Sequence, residues 1–218
     1  MRSVLDPELV WQQCLFASEE PSIDAELSTL TRTWLDHETW IDHAPRWMRG
    51  ADRVFAQLVE VLPWRQREVI MYDRRLDEPR LTAWWNTASG ELEALPILAQ
   101  ARAAFTRHYR KEFDSIGFNL YRDGHDSVAW HADRERFEQE DPTVVIVSTG
   151  EPRAFHLRPR GGGASRSWQL GHGDLFVMGG ACQHDWEHCV PKVALAGPRL
   201  SIMFRHNLAD SEVRDWGR

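Results

Sequence analysis

Apolar and polar positions change period along this chain, and the change divides it in two. In the first half the spacing is mixed. Leu27, Leu30, Trp34 and Leu35 recur at helical intervals, as do Val54, Phe55, Leu58, Val59 and Leu62. A helix is predicted at each place, the second ended by Pro63, which cannot continue one. Two short strands are predicted around 69–72 and 81–85. Pro96 suits a first helical turn, and Ile97, Ala101, Ala104, Phe105 and His108 carry an apolar stripe towards Phe113.

From residue 116 the helical period gives way to short strand-like runs at 118–121, 127–131, 143–149, 154–158, 167–170, 174–178 and 200–204. Turn residues separate them, among them Asp123-Gly124, Gly150-Glu151-Pro152, Gly179-Gly180 and Gly197-Pro198. Many short, evenly spaced strands predict a sandwich or jelly roll. The expected class is α+β, mainly β, in a single structural domain. Residues 1–95 form its N-terminal part and 96–218 its β core.

Composition adds limits. At 218 residues the chain can bury a substantial core. With no signal peptide and no apolar run of bilayer length, a soluble, cytoplasmic protein is expected, with no membrane partner. Three cysteines, Cys14, Cys182 and Cys189, make no paired spacing, which suits a reducing compartment and small buried apolar roles. The net charge of −7 argues against indiscriminate coating of a duplex. Arginines nevertheless cluster at 153–166, at 102–111 and at 46–53. Such clusters singly are most often solvated faces. Eleven tryptophans are many for this length, and Trp84 and Trp85, adjacent in a strand, cannot both face inward. No exposed heptad demands a partner, so a monomer is expected.

The chemistry lies in the alternating half. His131-Ala132-Asp133 places an imidazole and a carboxylate two residues apart, hence on one face of an extended strand. A later histidine would complete a two-His-one-carboxylate set that leaves positions open for an organic acid and dioxygen. The candidates are His172, His184, His188 and His206. His184 and His188 are spaced i, i+4, but no glutamate follows the first and the surroundings are not helical. His188 runs straight into Cys189-Val190-Pro191, where extended backbone is favoured, and is the choice. In the run 199–205, Leu200, Ile202 and Phe204 share one face, and Arg199, Ser201 and Arg205 share the other. Two guanidinium forks and a hydroxyl suit a small dicarboxylate. Asn119 and Tyr121 likewise share a face and offer an amide and a phenol.

Several ordered blocks now resemble one family. They are Asn119-Leu120-Tyr121, Trp130-His131-Ala132-Asp133, Ser148-Thr149-Gly150, Arg153-Ala154-Phe155, 171–175, Met178-Gly179-Gly180, 183–191 and Arg199 to Arg205. Together they resemble the AlkB-type iron(II)/2-oxoglutarate dioxygenases, densely over about the last hundred residues. Met71-Tyr72-Asp73 through Pro79-Arg80-Leu81-Thr82 is similar to the segment before the base-binding region in the branch nearer the duplex-DNA repair members. The resemblance implies a double-stranded β-helix with N-terminal helices and a nucleotide-recognition lid. It implies Fe(II) on His131, Asp133 and His188, and 2-oxoglutarate on Asn119, Tyr121, Arg199, Ser201 and Arg205, with O2 as co-substrate. Ser201 departs from the family's usual asparagine. Glu135 stands where family members carry an acid facing the damaged base, and Arg153 resembles a supporting arginine. Trp84 or Trp85 is the candidate to stack on a flipped base.

The function implied is oxidative dealkylation of nucleobases such as N1-methyladenine and N3-methylcytosine in DNA, with RNA as an alternative. 2-Oxoglutarate would become succinate and CO2, and an aldehyde would be released. Two rival readings are an oxygenase of the same chemistry acting on a protein, lipid or small molecule, and a non-enzymatic cupin-like metal binder.

Overall fold

The computed structural model describes residues 19–71, 74–87, 90, 96–133 and 141–206. Short strands open the chain: β1 (Ser22–Ile23), β2 (Thr31–Trp34), β3 (Thr39–Ala44) and β4 (Met48–Arg49). Helix α1 (Ala51–Val61) follows, then β5 (Glu68–Met71), β6 (Arg74–Asp77), β7 (Leu81–Asn86) and α2 (Pro96–Tyr109). The β-rich half comprises β8 (Phe113–Tyr121), β9 (Val128–His131), β10 (Val144–Gly150), β11 (Arg153–Pro159), β12 (Arg166–Leu170) and β13 (Asp174–Gly180). The one-turn α3 (Cys182–Asp185), β14 (Trp186–Val190) and β15 (Arg199–His206) complete it.

Seven strands pair in the order β2-β3-β13-β10-β15-β8-β7, and four in the order β12-β11-β14-β9. All of these pairings are antiparallel. Period-2 alternation decides what each face of the large sheet meets. On one face Leu81, Phe118, Leu120, Val147, Leu200, Ile202 and Phe204 pack with Phe55 and Leu58 of α1 and Leu98, Ala101 and Phe105 of α2. On the other face Tyr121, Val144, Ile146, Phe176 and Met178 meet Phe155, Leu157, Trp186 and Val190 around the small sheet. The result is the expected mainly-β jelly roll, with helices covering the back of one sheet. Strands β2, β3 and β7, all before residue 96, are part of that large sheet.

Burial explains the helices. Val54, Phe55 and Leu58 lie in the core, each fully buried aliphatic or phenyl group contributing about 1.5–3 kcal/mol over exposure. Leu62 is already extended at φ −78°, ψ 141°, so the helix stops before Pro63. On α2 the buried stripe is Ile97, Leu98, Ala101, Ala104 and Phe105; His108 is exposed, and Phe113 begins β8. Among the described residues no helix is long and apolar enough to cross a membrane.

The helix expected from Leu27 to Leu35 is absent, and strand β2 occupies its second half. Asp24 is the cause: its carboxylate accepts from the backbone of Glu26 and Ser28 and from the Ser28 hydroxyl, closing a turn. Leu27 then sits at φ 55°, outside a right-handed helix. The apolar residues that mimicked one helical face serve two cores: Leu27 packs behind the large sheet and Leu35 between the sheets. Strands β1, β3, β4 and β6 and helix α3 also went unpredicted, and β14 was anticipated only as extended backbone around His188. Tyr72, Asp73, Cys14 and Glu135 lie outside the described residues.

Candidate active site

Register brings the candidate residues together. Strands β9 and β14 pair so that His131 faces His188 directly, which puts two imidazoles on one face with ring centroids 4.2 Å apart. Asp133 follows β9, its Oδ1 lying 3.7 Å from His131 Nε2. One ligand atom from each of His131, Asp133 and His188 falls within 4.8 Å of the others. The other three histidines have different surroundings. His206 accepts from the Thr143 N–H, and His172 accepts from the Gly150 N–H and lies 3.5 Å from Asp52. His184 sits on α3, before β14 begins.

Each of the three groups is prepared for a cation. The Nδ1 of His131 lies 2.9 Å from the Ala129 carbonyl, which can only accept, so Nδ1 carries the proton and Nε2 is left as a donor atom. Burial pushes His188 down to about 3, helped by the neighbouring His131, so its ring is neutral. Arg205 Nη2 donates to Asp133 Oδ2 at 3.0 Å, turning Oδ1 towards the histidines. Phe155 stacks on His188 at 5.4 Å and fixes that ring. Two imidazole nitrogens with one carboxylate fit a ferrous ion.

These groups line a cavity of about 760 Å³ between the sheets. Its floor is the inner face of the large sheet, where β8 and β15 run in register and side chains line up in transverse rows. Tyr121 and Arg199 form one row, Asn119 and Ser201 the next, joined by Thr82 of β7 and Ser148 of β10. A third row is Trp84, Gly117, Met203 and Ile146. Successive rows are roughly 7 Å apart, two residues along a strand.

The first row carries an unmet demand. Arg199 is 1% exposed; its Nε donates to Ser148 Oγ at 2.9 Å and its guanidinium carbon lies 5.3 Å from the Tyr121 ring. Its Nη1 is buried without a partner. Burial pulls this guanidinium below the ordinary arginine range, with Arg153 adding to the effect against the opposing pull of Tyr121. A buried cation with an open donor, beside a phenol and an amide, fits one carboxylate of a dicarboxylate. Gly150, paired with Arg199 across β10 and β15, has φ 89°, and a Cβ there would lie 2.4 Å from the Pro198 carbonyl, so only glycine closes this end.

Asn119, Tyr121, Ser201 and Arg205 all line the cavity. Trp84 and Trp85 split as a strand requires: Trp84 lines the cavity, and Trp85 packs against the helix-side core, with Arg102 above its ring. Trp85 is therefore withdrawn as a stacking candidate. Arg153 is 2% exposed and donates to the backbone carbonyls of Asp123, Asp126 and Pro191, so it ties loops together, which suits a supporting arginine and not one that faces a base. The remaining arginines of that cluster are held too. Arg158 pairs with Glu187 and lies over Trp130, and Arg166 donates to the carbonyls of Trp34 and Leu35. Sequence reasoning missed Arg65, Arg67 and Arg80 in the cavity lining, although basic residues recur through that segment. It also assigned no role to Ser148, whose hydroxyl holds Arg199.

Comparison with known proteins agrees with this geometry. The family model described as "2OG-Fe(II) oxygenase superfamily" matches residues 24–205. The alpha-ketoglutarate-dependent dioxygenase alkB homolog 3 of Bos taurus is 32% identical over 188 residues, covering 78% of this chain and 66% of the relative. The DNA oxidative demethylase ALKBH2 of Arabidopsis thaliana is 30% identical over 191 residues, covering 69% of this chain and 60% of the relative. The chain thus spans less than two thirds of the length of these relatives. The solved structure of OsALKBH1 superposes with a TM-score of 0.54 at 13% identity, covering 81% of this chain and 100% of that one, which is a likeness of fold. With the paired histidines, the carboxylate and the buried arginine in one jelly-roll cavity, the chain belongs to the 2OG-Fe(II) oxygenase superfamily, on its AlkB-type branch.

Proposed function

We propose that this protein oxidatively removes alkyl groups from the ring nitrogens of nucleobases, such as N1-methyladenine and N3-methylcytosine, in DNA, with RNA as the alternative polymer. The observation that carries this reading is one cavity holding both the His131, Asp133, His188 cluster and the open Nη1 of Arg199. The names of the relatives, an alkB homolog 3 and a DNA oxidative demethylase, support the choice of substrate. Arg65, exposed in the cavity lining, suits a polyanion, whereas Arg80 beside it is paired with Glu78 at 3.0 Å. In this reading the protein works as a cytoplasmic monomer.

His131, Asp133 and His188 would hold Fe(II). Arg199 and Tyr121 would anchor the distal carboxylate of 2-oxoglutarate, with Asn119, Ser201 and Arg205 along its length. When bound, the iron with 2-oxoglutarate and dioxygen supplies hydroxylation of a carbon, with succinate and CO2 as co-products. The chain's own contribution is placement. Arg205 restrains one oxygen of Asp133, the buried first row aligns the co-substrate, and Trp84 offers an aromatic face to an unstacked base. A hydroxymethyl group on a ring nitrogen is a hemiaminal. It collapses to formaldehyde and the restored base.

The test is joint measurement of formaldehyde and succinate from oligonucleotides carrying N1-methyladenine or N3-methylcytosine, with Fe(II) and 2-oxoglutarate supplied. Both products are expected in equal amounts. Succinate without aldehyde from any oligonucleotide would move the reading to a protein, lipid or small-molecule substrate.

A further inference from the structure

The third row of the cavity floor differs from the two before it. Tyr121 with Arg199, and Thr82 with Asn119, Ser201 and Ser148, are polar, as a polar co-substrate would require. Trp84, Gly117, Met203 and Ile146 make an apolar strip across four strands, and all four line the cavity. Within it the packing is tight around the glycine. A Cβ on Gly117 would lie 3.0 and 3.2 Å from two carbons of the Trp84 ring and 3.3 Å from Met203 Cε. The indole therefore lies down over bare backbone, and the end of Met203 closes the same gap from the other strand. Gly117 is at no unusual φ, so its role is this close approach and not a turn.

The strip is next to the reacting end. Arg205, two residues beyond Met203 on the same face, donates to Asp133 and has its guanidinium carbon 5.8 Å from the centroid of Trp84. Met203 is itself held: its Sδ accepts from Asn119 Nδ2 at 3.6 Å, which links the apolar row to the polar one. A long thioether tied at the sulfur, with its methyl over the same glycine as the indole, is an adjustable stop on the cavity floor.

We propose that Gly117 and Met203 set how large an alkyl group the site accepts, by fixing the height of the Trp84 ring and the depth beside it. This rests on the dealkylation reading above and adds its size limit. Met203→Ala deepens the pocket; Gly117→Ala lifts the indole and makes it shallower. One methylene in an apolar pocket changes discrimination by roughly 10- to 200-fold.

The experiment uses the full chain with Fe(II) and 2-oxoglutarate, and oligonucleotides bearing N3-methylcytosine or N3-ethylcytosine. The ratio of kcat/KM for ethyl over methyl is expected to rise about tenfold in Met203→Ala and to fall in Gly117→Ala. The same ranking is expected in binding of the two oligonucleotides to the metal-free protein, read by fluorescence anisotropy. If Gly117→Ala does not fold, Met203→Ala decides alone. An unchanged ratio in Met203→Ala, or a change confined to the 2-oxoglutarate requirement, overturns the inference while the function stands. A wild-type protein that dealkylates neither oligonucleotide overturns both.

Discussion

At the scale of single residues, the two ends of the cavity make separable predictions. His131→Ala and Asp133→Ala each remove one of three ligand atoms that lie within 4.8 Å, so 2-oxoglutarate turnover should vanish while the circular dichroism spectrum is kept. Retained succinate production in either variant would remove the ligand assignment. Arg199→Ala should act at the other end. Losing a buried cation opposite a carboxylate costs roughly 2–5 kcal/mol, so the half-saturating 2-oxoglutarate concentration should rise at least tenfold with the metal still bound. An unchanged requirement would show that the open Nη1 serves something else.

At the scale of elements, carboxylates hold the connections that no apolar pattern reveals. Asp174, at the start of β13, accepts from the backbone N–H groups of Arg46 and Gly171 and lies 3.8 Å from His43. Burial opposes its ionisation, but the nearby His43 and the hydrogen bonds from the Arg46 and Gly171 N–H groups prevail and hold its carboxyl below the ordinary value. A carboxyl depressed on folding stabilises the native state above its unfolded pKa, and that contribution is lost as pH falls through the folded one. Asp174→Asn should therefore cost about 1–3 kcal/mol at pH 7, with the gap to wild type closing below about pH 4. Urea unfolding at the two pH values measures it; a gap independent of pH would mean that the ionised form is not what matters. The same scale explains the helix misread at Leu27 to Leu35. Three hydrogen bonds to one Asp24 carboxylate outweigh a helical apolar spacing, because a turn set locally decides where the chain goes next.

For the whole molecule the question is where the positive charge is free to act. The net charge is −7, and the clusters noted in the sequence are largely engaged: Arg107 with Glu26 and Ala25, Lys111 with Asp141, Arg158 with Glu187. Arg65, exposed and in the cavity lining, is better placed for a polyanion. Binding of a methylated oligonucleotide should weaken with added salt, and Arg65→Ala should reduce the slope of log affinity against log salt by about one, with Arg107→Ala leaving it unchanged. The reverse result would return the interface to the helix-α2 cluster.

The alternating half of the chain was open to reading by itself: strand positions, the shared face of His131 and Asp133, and the shared face of Arg199, Ser201 and Arg205 follow from a period of two. That information is local, and a side chain's face in a strand is a local property. Which histidine completes the set is not local. Local sequence favours His188 only through the extended backbone before Pro191; it is the β9–β14 register that puts His188, and not His172, His184 or His206, opposite His131. Likewise, Arg153 and Arg199 are both arginines at the start of a strand. Tertiary packing closes three backbone carbonyls around the first and leaves a nitrogen of the second, a residue of the cavity lining, buried without a partner.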